Sequence, residues 1–172
     1  FGEVGSLTTL LITDASGSMN NAGKLDDAKA AANLYIDQMR VNDQAGVMVF
    51  NTEFSVIQPL TQDKDQLKTA VSSIVADNNT AMYDALLPSI DILNDISGRT
   101  AIIVLTDGLD NVSTATLSNV LSQIGPAGIT ISTIGLGESS HGSGAVTALD
   151  EDALKQLASQ TGGIYSYSED SE

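Results

Sequence analysis

The sequence predicts an α/β fold: a doubly wound, Rossmann-like and mostly parallel sheet, with one antiparallel edge strand and helices on both faces. Three observations predict it. Short aliphatic runs alternate along the chain with amphipathic stretches of helical period. Residues 101–105 are five apolar residues in a row, as a strand covered on both faces requires. Two short runs also flank a three-residue link, which supplies the antiparallel pair.

Each element follows in order. Residues 7–13 form an aliphatic run ending at a polar loop, a buried strand. Residues 24–40 place Leu25, Ala28, Ala32, Tyr35 and Met39 on one helical face. Residues 46–50 and 54–57 read as strands joined through Asn51-Thr52-Glu53 in a hairpin. Asp63 and Gln66 have the spacing of a capping box, opening a helix to about Val75. Residues 82–94 form a helix with Met82, Ala85, Leu86, Ile90 and Leu93 inward. After the central strand come a weaker helix over 114–123 and a strand over 129–134. A helix over 150–160 follows, carrying Leu154, Leu157 and Ala158, then a last strand over 163–167. Residues 135–148, rich in Gly and Ser, read as a long surface loop.

The chain has 172 residues, no internal repeat and no linker, so residues 1–172 are expected to form a single domain. It opens without Met, which suggests a processed protein or a piece excised from a longer one. Seven basic residues against 22 acidic ones give a net charge of −15. That excludes nucleic acid and an anionic membrane surface as partners, because both need a basic face. Cysteine is absent, which removes disulfides, thiolate zinc sites and Cys nucleophiles. No apolar run reaches the roughly 18 residues of a membrane span, and no basic segment opens a signal peptide.

In an open parallel sheet, ligands bind beyond the carboxyl ends of the strands. Three polar loops belong there: Asp14-Ala-Ser16-Gly-Ser18, Asn78-Asn79-Thr80 and Thr106-Asp107-Gly108. Two carboxylates and three hydroxyls, with no His or Cys, are hard oxygen donors. They suit a divalent cation such as Mg²⁺, Mn²⁺ or Ca²⁺. Taken alone, Asp14, Ser16 and Ser18 fit a helix N-cap equally well; Thr80 and Asp107 tip the balance toward metal. Asp110 and Asn111 read as solvated loop residues, and His141 as a surface residue. Gly135 and Gly137 lack the third glycine and helix of a dinucleotide loop. Asn78-x-Thr80 and Asn111-x-Ser113 match the glycosylation pattern, but a sugar beside a metal site is implausible, which discounts the first.

At these residues the sequence resembles the von Willebrand factor type A family, with a bacterial or archaeal flavour. Asp14, Ser16 and Ser18 meet its D-x-S-x-S pattern, Thr80 its separate Thr, and Asp107 its TDG aspartate. The resemblance continues through Lys24–Lys29, Thr80–Leu86, Thr106–Asn111, Ile134–Gly137 and Thr161-Gly-Gly-Ile-Tyr165. It implies a complete metal-ion-dependent adhesion site. Ser16, Ser18 and Thr80 would touch the cation, and Asp14 and Asp107 would act directly or through water. Two departures stand out: Asn78-Asn79 replaces the family's usual Gly-Gly, and the family's final helix is expected to be absent after the last strand.

The implied function is a non-enzymatic adhesion or assembly module, with Mg²⁺ the first choice of cofactor. It would bind a protein partner that presents an Asp or Glu carboxylate. The resemblance points to an extracellular or cell-surface domain, monomeric in isolation. A cytoplasmic scaffold beside a chaperone-like ATPase is the alternative. A metal-assisted hydrolase lacks a base near Ser16 or Ser18 and a cation to hold substrate.

Overall fold

The computed structural model describes residues 7–15, 24–40, 42–50, 54–75, 82–94, 96, 99–106, 117–136 and 151–168. The elements are β1 (Leu7–Asp14), α1 (Lys24–Gln38), β2 (Gln44–Phe50), β3 (Phe54–Thr61), α2 (Lys64–Ser72), α3 (Met82–Asn94), β4 (Arg99–Thr106), α4 (Leu117–Ala127), β5 (Thr130–Leu136), α5 (Glu151–Thr161) and β6 (Tyr165–Ser168). They form one six-stranded sheet in the order β3-β2-β1-β4-β5-β6. Every pairing is parallel except β2 with β3. This is the doubly wound, mixed sheet that the alternating pattern predicts.

Alternate residues of each strand feed two different cores. Leu10 and Ile12 of β1 pack with Met48 and Phe50 of β2, Ile102 and Val104 of β4 and Ile131 of β5. Ile90 and Leu93 of α3, Val120 and Ile124 of α4 and Leu157 of α5 cover them. On the other face Leu11 packs with Ala45 and Val47, under Ala32 and Ile36 of α1 and Leu67, Ala70 and Val71 of α2. Ile36 is fully buried, while Tyr35 is only half-buried. The inward face of α1 thus carries the expected residues, with Ile36 added at its centre and Tyr35 at its margin. Tyr35 instead meets the Thr9 hydroxyl at 2.5 Å. Burial pushes its phenol pKa up, the Thr9 bond opposes this, and the Asp43 charge adds to it.

The boundaries differ where local chemistry overrides pattern. β3 runs on through Pro59 to Thr61. An edge strand tolerates a residue without an N–H, and the β2–β3 register shifts between Ala45 and Val47 and between Val47 and Met48. α4 ends four residues beyond the expected 123, because its last turn closes across Pro126: Gly128, at φ 69°, donates its N–H to the Ile124 carbonyl at 3.0 Å. At α2, Asp63 caps Asp65 N at 2.9 Å and Gln66 N at 3.3 Å. The return arm of the expected box is relayed. Asp63 N donates to the Thr61 hydroxyl at 3.1 Å, and that hydroxyl donates to Gln66 Oε1 at 3.2 Å.

Neither α1 nor α2 has a basic residue in its own last turn. Each borrows one from the other. Lys64 of α2 donates to the Asp37 carbonyl of α1 at 3.2 Å, and Lys29 of α1 donates to the Ser72 carbonyl of α2 at 3.4 Å. Lys68 adds an ion pair to the Asp37 carboxylate at 2.5 Å. The helices therefore run antiparallel, with a lysine at each negative helix end.

The amino end of the sheet is tied at Asp43. Its carboxylate accepts from Leu7 N at 2.9 Å and Arg40 N at 3.0 Å. Burial alone would raise its pKa. The two N–H donors and the charges of Arg40 and Arg99 outweigh that, and the carboxyl lies below its ordinary value of 3.8. β6 is anchored by the turn before it. Gly162 has φ 81°, and Gly163 N reaches back to the Ala158 carbonyl at 2.8 Å, a six-to-one bond that closes α5.

Candidate metal centre

Asp14 is the last residue of β1 and is fully buried. It lies on the same face as Leu10 and Ile12, at the carboxyl end of the sheet. Thr13 pairs with Leu105, so the next rung sets Asp14 beside Thr106 of β4. The Thr106 hydroxyl donates to Asp14 Oδ2 at 2.6 Å, across 92 residues of sequence. On the other side β2 places the fully buried Phe50 in register with Asp14. Ala15 N then donates to the Phe50 carbonyl at 2.7 Å, which carries the ladder one residue past the carboxylate. Asp14 is therefore held by backbone on one side and by a hydroxyl on the other, above an apolar floor of Ile12, Met48 and Val104.

Of the five residues predicted from sequence, Asp14 stands where a ligand at the strand ends belongs. Ser16, Ser18, Thr80 and Asp107 lie outside the described residues. Connectivity still relates them to Asp14. Ser16 follows Ala15 directly, and Asp107 follows Thr106 directly. α3 begins two residues after Thr80. Its far end, at Leu93 and Asn94, lines a cavity of about 480 Å³ with Leu7, Arg99 and Thr130, at the amino ends of β1, β4 and β5. A 13-residue helix spans about 20 Å, some three-quarters of the roughly 26 Å rise of an eight-residue strand such as β4. The first turn of α3 therefore rises toward the Asp14 end.

Thr106 is the residue that sequence reasoning passed over. Its signal was present: the apolar run of β4 ends at Thr106, as that of β1 ends at Asp14. In neighbouring parallel strands two such ends meet on one face.

The donor chemistry fits a hard divalent cation. Asp14 supplies an anionic oxygen in a buried, apolar setting, where a cation's attraction is strengthened. Three hydroxyls and a second carboxylate follow in the adjoining chain. Among the described residues there is no cluster of three or more His, Cys, Asp or Glu that could hold a metal.

A family model described as von Willebrand factor type A domain matches residues 9–109, more than half of the chain. The chain belongs to the von Willebrand factor type A family. The matched span begins within β1 and ends just past β4, so it contains all five candidate ligands. Domains of this family are generally protein-interaction modules and typically not enzymes. The type A domain is 26% identical over 176 residues to human calcium-activated chloride channel regulator 1. That match takes in 98% of this chain but only 18% of the relative's length.

Among solved structures, the domain resembles an aerotolerance-related membrane protein from Bacteroides fragilis, with TM-score 0.80 and 24% identity, over 95% of this chain and 92% of that one. It also resembles the three N-terminal domains of the type V pili tip protein Mfa5 from Porphyromonas gingivalis, with TM-score 0.79 and 14% identity, over 94% of this chain and 46% of that one. At these identities both show the fold alone. Among the described residues no helix is long and apolar enough to cross a membrane.

Proposed function

We propose that this type A domain binds a protein partner through a divalent cation held by Asp14, Ser16, Ser18, Thr80 and Asp107. The metal is Mg²⁺ by preference, with Mn²⁺ or Ca²⁺ as substitutes. It would supply an electrophilic position that an Asp or Glu carboxylate of the partner completes. The observation that carries the proposal is Asp14: a fully buried carboxylate at the carboxyl end of β1, clamped by Thr106 from the neighbouring strand. The protein's own part is to hold that oxygen in place and to exclude water from the apolar floor beneath it. The setting proposed is extracellular or cell-surface.

The test is calorimetric titration of Mg²⁺ and Mn²⁺ into the wild type, Asp14→Ala and Asp107→Ala, with far-UV circular dichroism to confirm folding. Both variants are expected to lose metal binding and keep the fold. Unchanged affinity in both would remove the site. Partner capture with and without EDTA then tests whether the metal is the bridge.

A further inference from the structure

We propose that Thr106 is a positioning residue that sets the site's preference among divalent cations, by fixing how the Asp14 carboxylate can be used. This role presupposes the metal site proposed above. The Thr106–Asp14 bond is 2.6 Å long and both residues are fully buried, so it is a short, charge-assisted bond with no bulk water to compete. Both partners end parallel strands that are hydrogen-bonded neighbours, and the Ala15–Phe50 bond anchors the backbone next to Asp14. The carboxylate is therefore oriented by the Thr106 hydroxyl, and the backbone that carries it is fixed by its pairing with β2, so both holds come from strands and not from loops.

With one lone pair of Oδ2 taken by the hydroxyl and its orientation fixed, chelation of one cation by both oxygens of Asp14 is disfavoured. That restriction separates the candidate metals. Ca²⁺ takes six to eight oxygens in loose geometry and often uses both oxygens of one carboxylate; Mg²⁺ demands a strict octahedron with one oxygen per ligand. A carboxylate locked to single-oxygen use favours the small octahedral cation. Thr106 also precedes Asp107 in the chain, so the same bond ties the strand ends that lead into both acidic loops.

The experiment compares the wild type, Thr106→Val, Thr106→Ser and Asp14→Asn of this chain. Mg²⁺, Mn²⁺ and Ca²⁺ are titrated by calorimetry, and the EDTA-treated proteins are unfolded in urea. Loss of an orienting partner typically weakens metal binding by about 10- to 100-fold. Thr106→Val is expected to lose that much Mg²⁺ and Mn²⁺ affinity and much less Ca²⁺ affinity, so that the Mg²⁺/Ca²⁺ ratio falls. Thr106→Ser, which keeps the hydroxyl, is expected to restore the ratio. Thr106→Ala gives the same comparison should Thr106→Val not fold. A lower unfolding midpoint with an unchanged ratio would mean that Thr106 only stabilises the sheet, and overturns the proposal. If Asp14→Asn abolishes binding while the ratio is unmoved, the positioning role alone is lost. If Asp14→Asn binds Mg²⁺ like the wild type, the metal site itself is lost.

Discussion

Gly163 offers a sharp test of how the fold closes at its β6 edge. A Cβ at this position would stand 1.9 Å from the Ile131 carbonyl oxygen, 2.5 Å from its carbon and 3.0 Å from Ser132 N. All three are backbone atoms of the β5 segment, so no side chain can swing aside. Gly163→Ala must displace the turn by more than an ångström. Three bonds depend on its present position: Gly163 N to the Ala158 carbonyl at 2.8 Å, Thr133 N to the Ile164 carbonyl at 3.0 Å, and Ile164 N to the Ser132 hydroxyl at 3.2 Å. At about 1 kcal/mol each, their loss sets the expected cost near 3 kcal/mol, within the range of a strained overpacking. The neighbouring Gly162 is the control. It has φ 81° but nothing within 4 Å of an added Cβ. Gly162→Ala therefore meets only the left-handed backbone penalty, about 1–2 kcal/mol. Urea unfolding followed by far-UV circular dichroism measures both. A Gly163→Ala variant within about 0.5 kcal/mol of wild type, or more stable than Gly162→Ala, would refute the steric reasoning.

Asp43→Asn is expected to cost about 1.5–3 kcal/mol at neutral pH, since an amide cannot accept from both Leu7 N and Arg40 N. The Asp43 carboxyl lies below its ordinary 3.8 when folded, so its stabilisation is complete above that value and is lost as pH falls through the folded one. The stability gap between wild type and Asp43→Asn, read by urea midpoints, should close on acidification; a gap that widens contradicts the assignment. Lys68→Ala removes an ion pair whose side chains are 41% and 56% exposed, and should cost less than about 1 kcal/mol, with the difference shrinking in high salt. A salt-independent loss of several kcal/mol would show that the α1–α2 seam carries far more than surface charge. Leu67→Ala empties a fully buried site under α2 and is expected to cost about 2–5 kcal/mol. A loss under about 1 kcal/mol in the same urea assay would mean that this face repacks freely.

The order of all eleven elements was legible in the sequence, because buried parallel strands and amphipathic helices leave different periods. The ends were less so. Pro59 and Pro126 look like breakers in a local pattern, yet an edge strand does not need the missing donor and a final turn can close over it. The inward face of α1 was legible in Ala28, Ala32, Tyr35 and Met39; Ile36, which fills the centre of that face, was the addition, while Tyr35 packs at its margin with its phenol against Thr9. The capping box was half legible: Asp63 caps as expected, but the choice of Thr61 as relay depends on where β3 ends. At the candidate centre, the place of Asp14 at the carboxyl end of β1 was legible from the polar residue that ends the aliphatic run. Thr106 was not singled out, because its role comes from strand adjacency across 92 residues and not from any local spacing. Thr161-Gly-Gly-Ile-Tyr165, noticed as part of a resemblance, has a mechanical cause. The Thr161 hydroxyl donates to the Leu157 carbonyl at 2.7 Å and accepts from Ile131 N at 2.9 Å, and the two glycines turn the chain tightly against β5.

The lysines crossed over between α1 and α2 bear on how this domain would meet another molecule in solution. Seven cations serve a chain of net charge −15, and Lys29, Lys64 and Lys68 are engaged in that one seam. Lys155 lies over the Tyr165 ring, 5.6 Å from its centre. With 22 acidic residues against seven basic ones, the domain's long-range field is negative. An acidic partner would approach against a repulsive field and feel attraction only at contact range, at the cation. Its association rate should therefore rise as ionic strength screens that field, the reverse of the usual behaviour of charge-steered complexes.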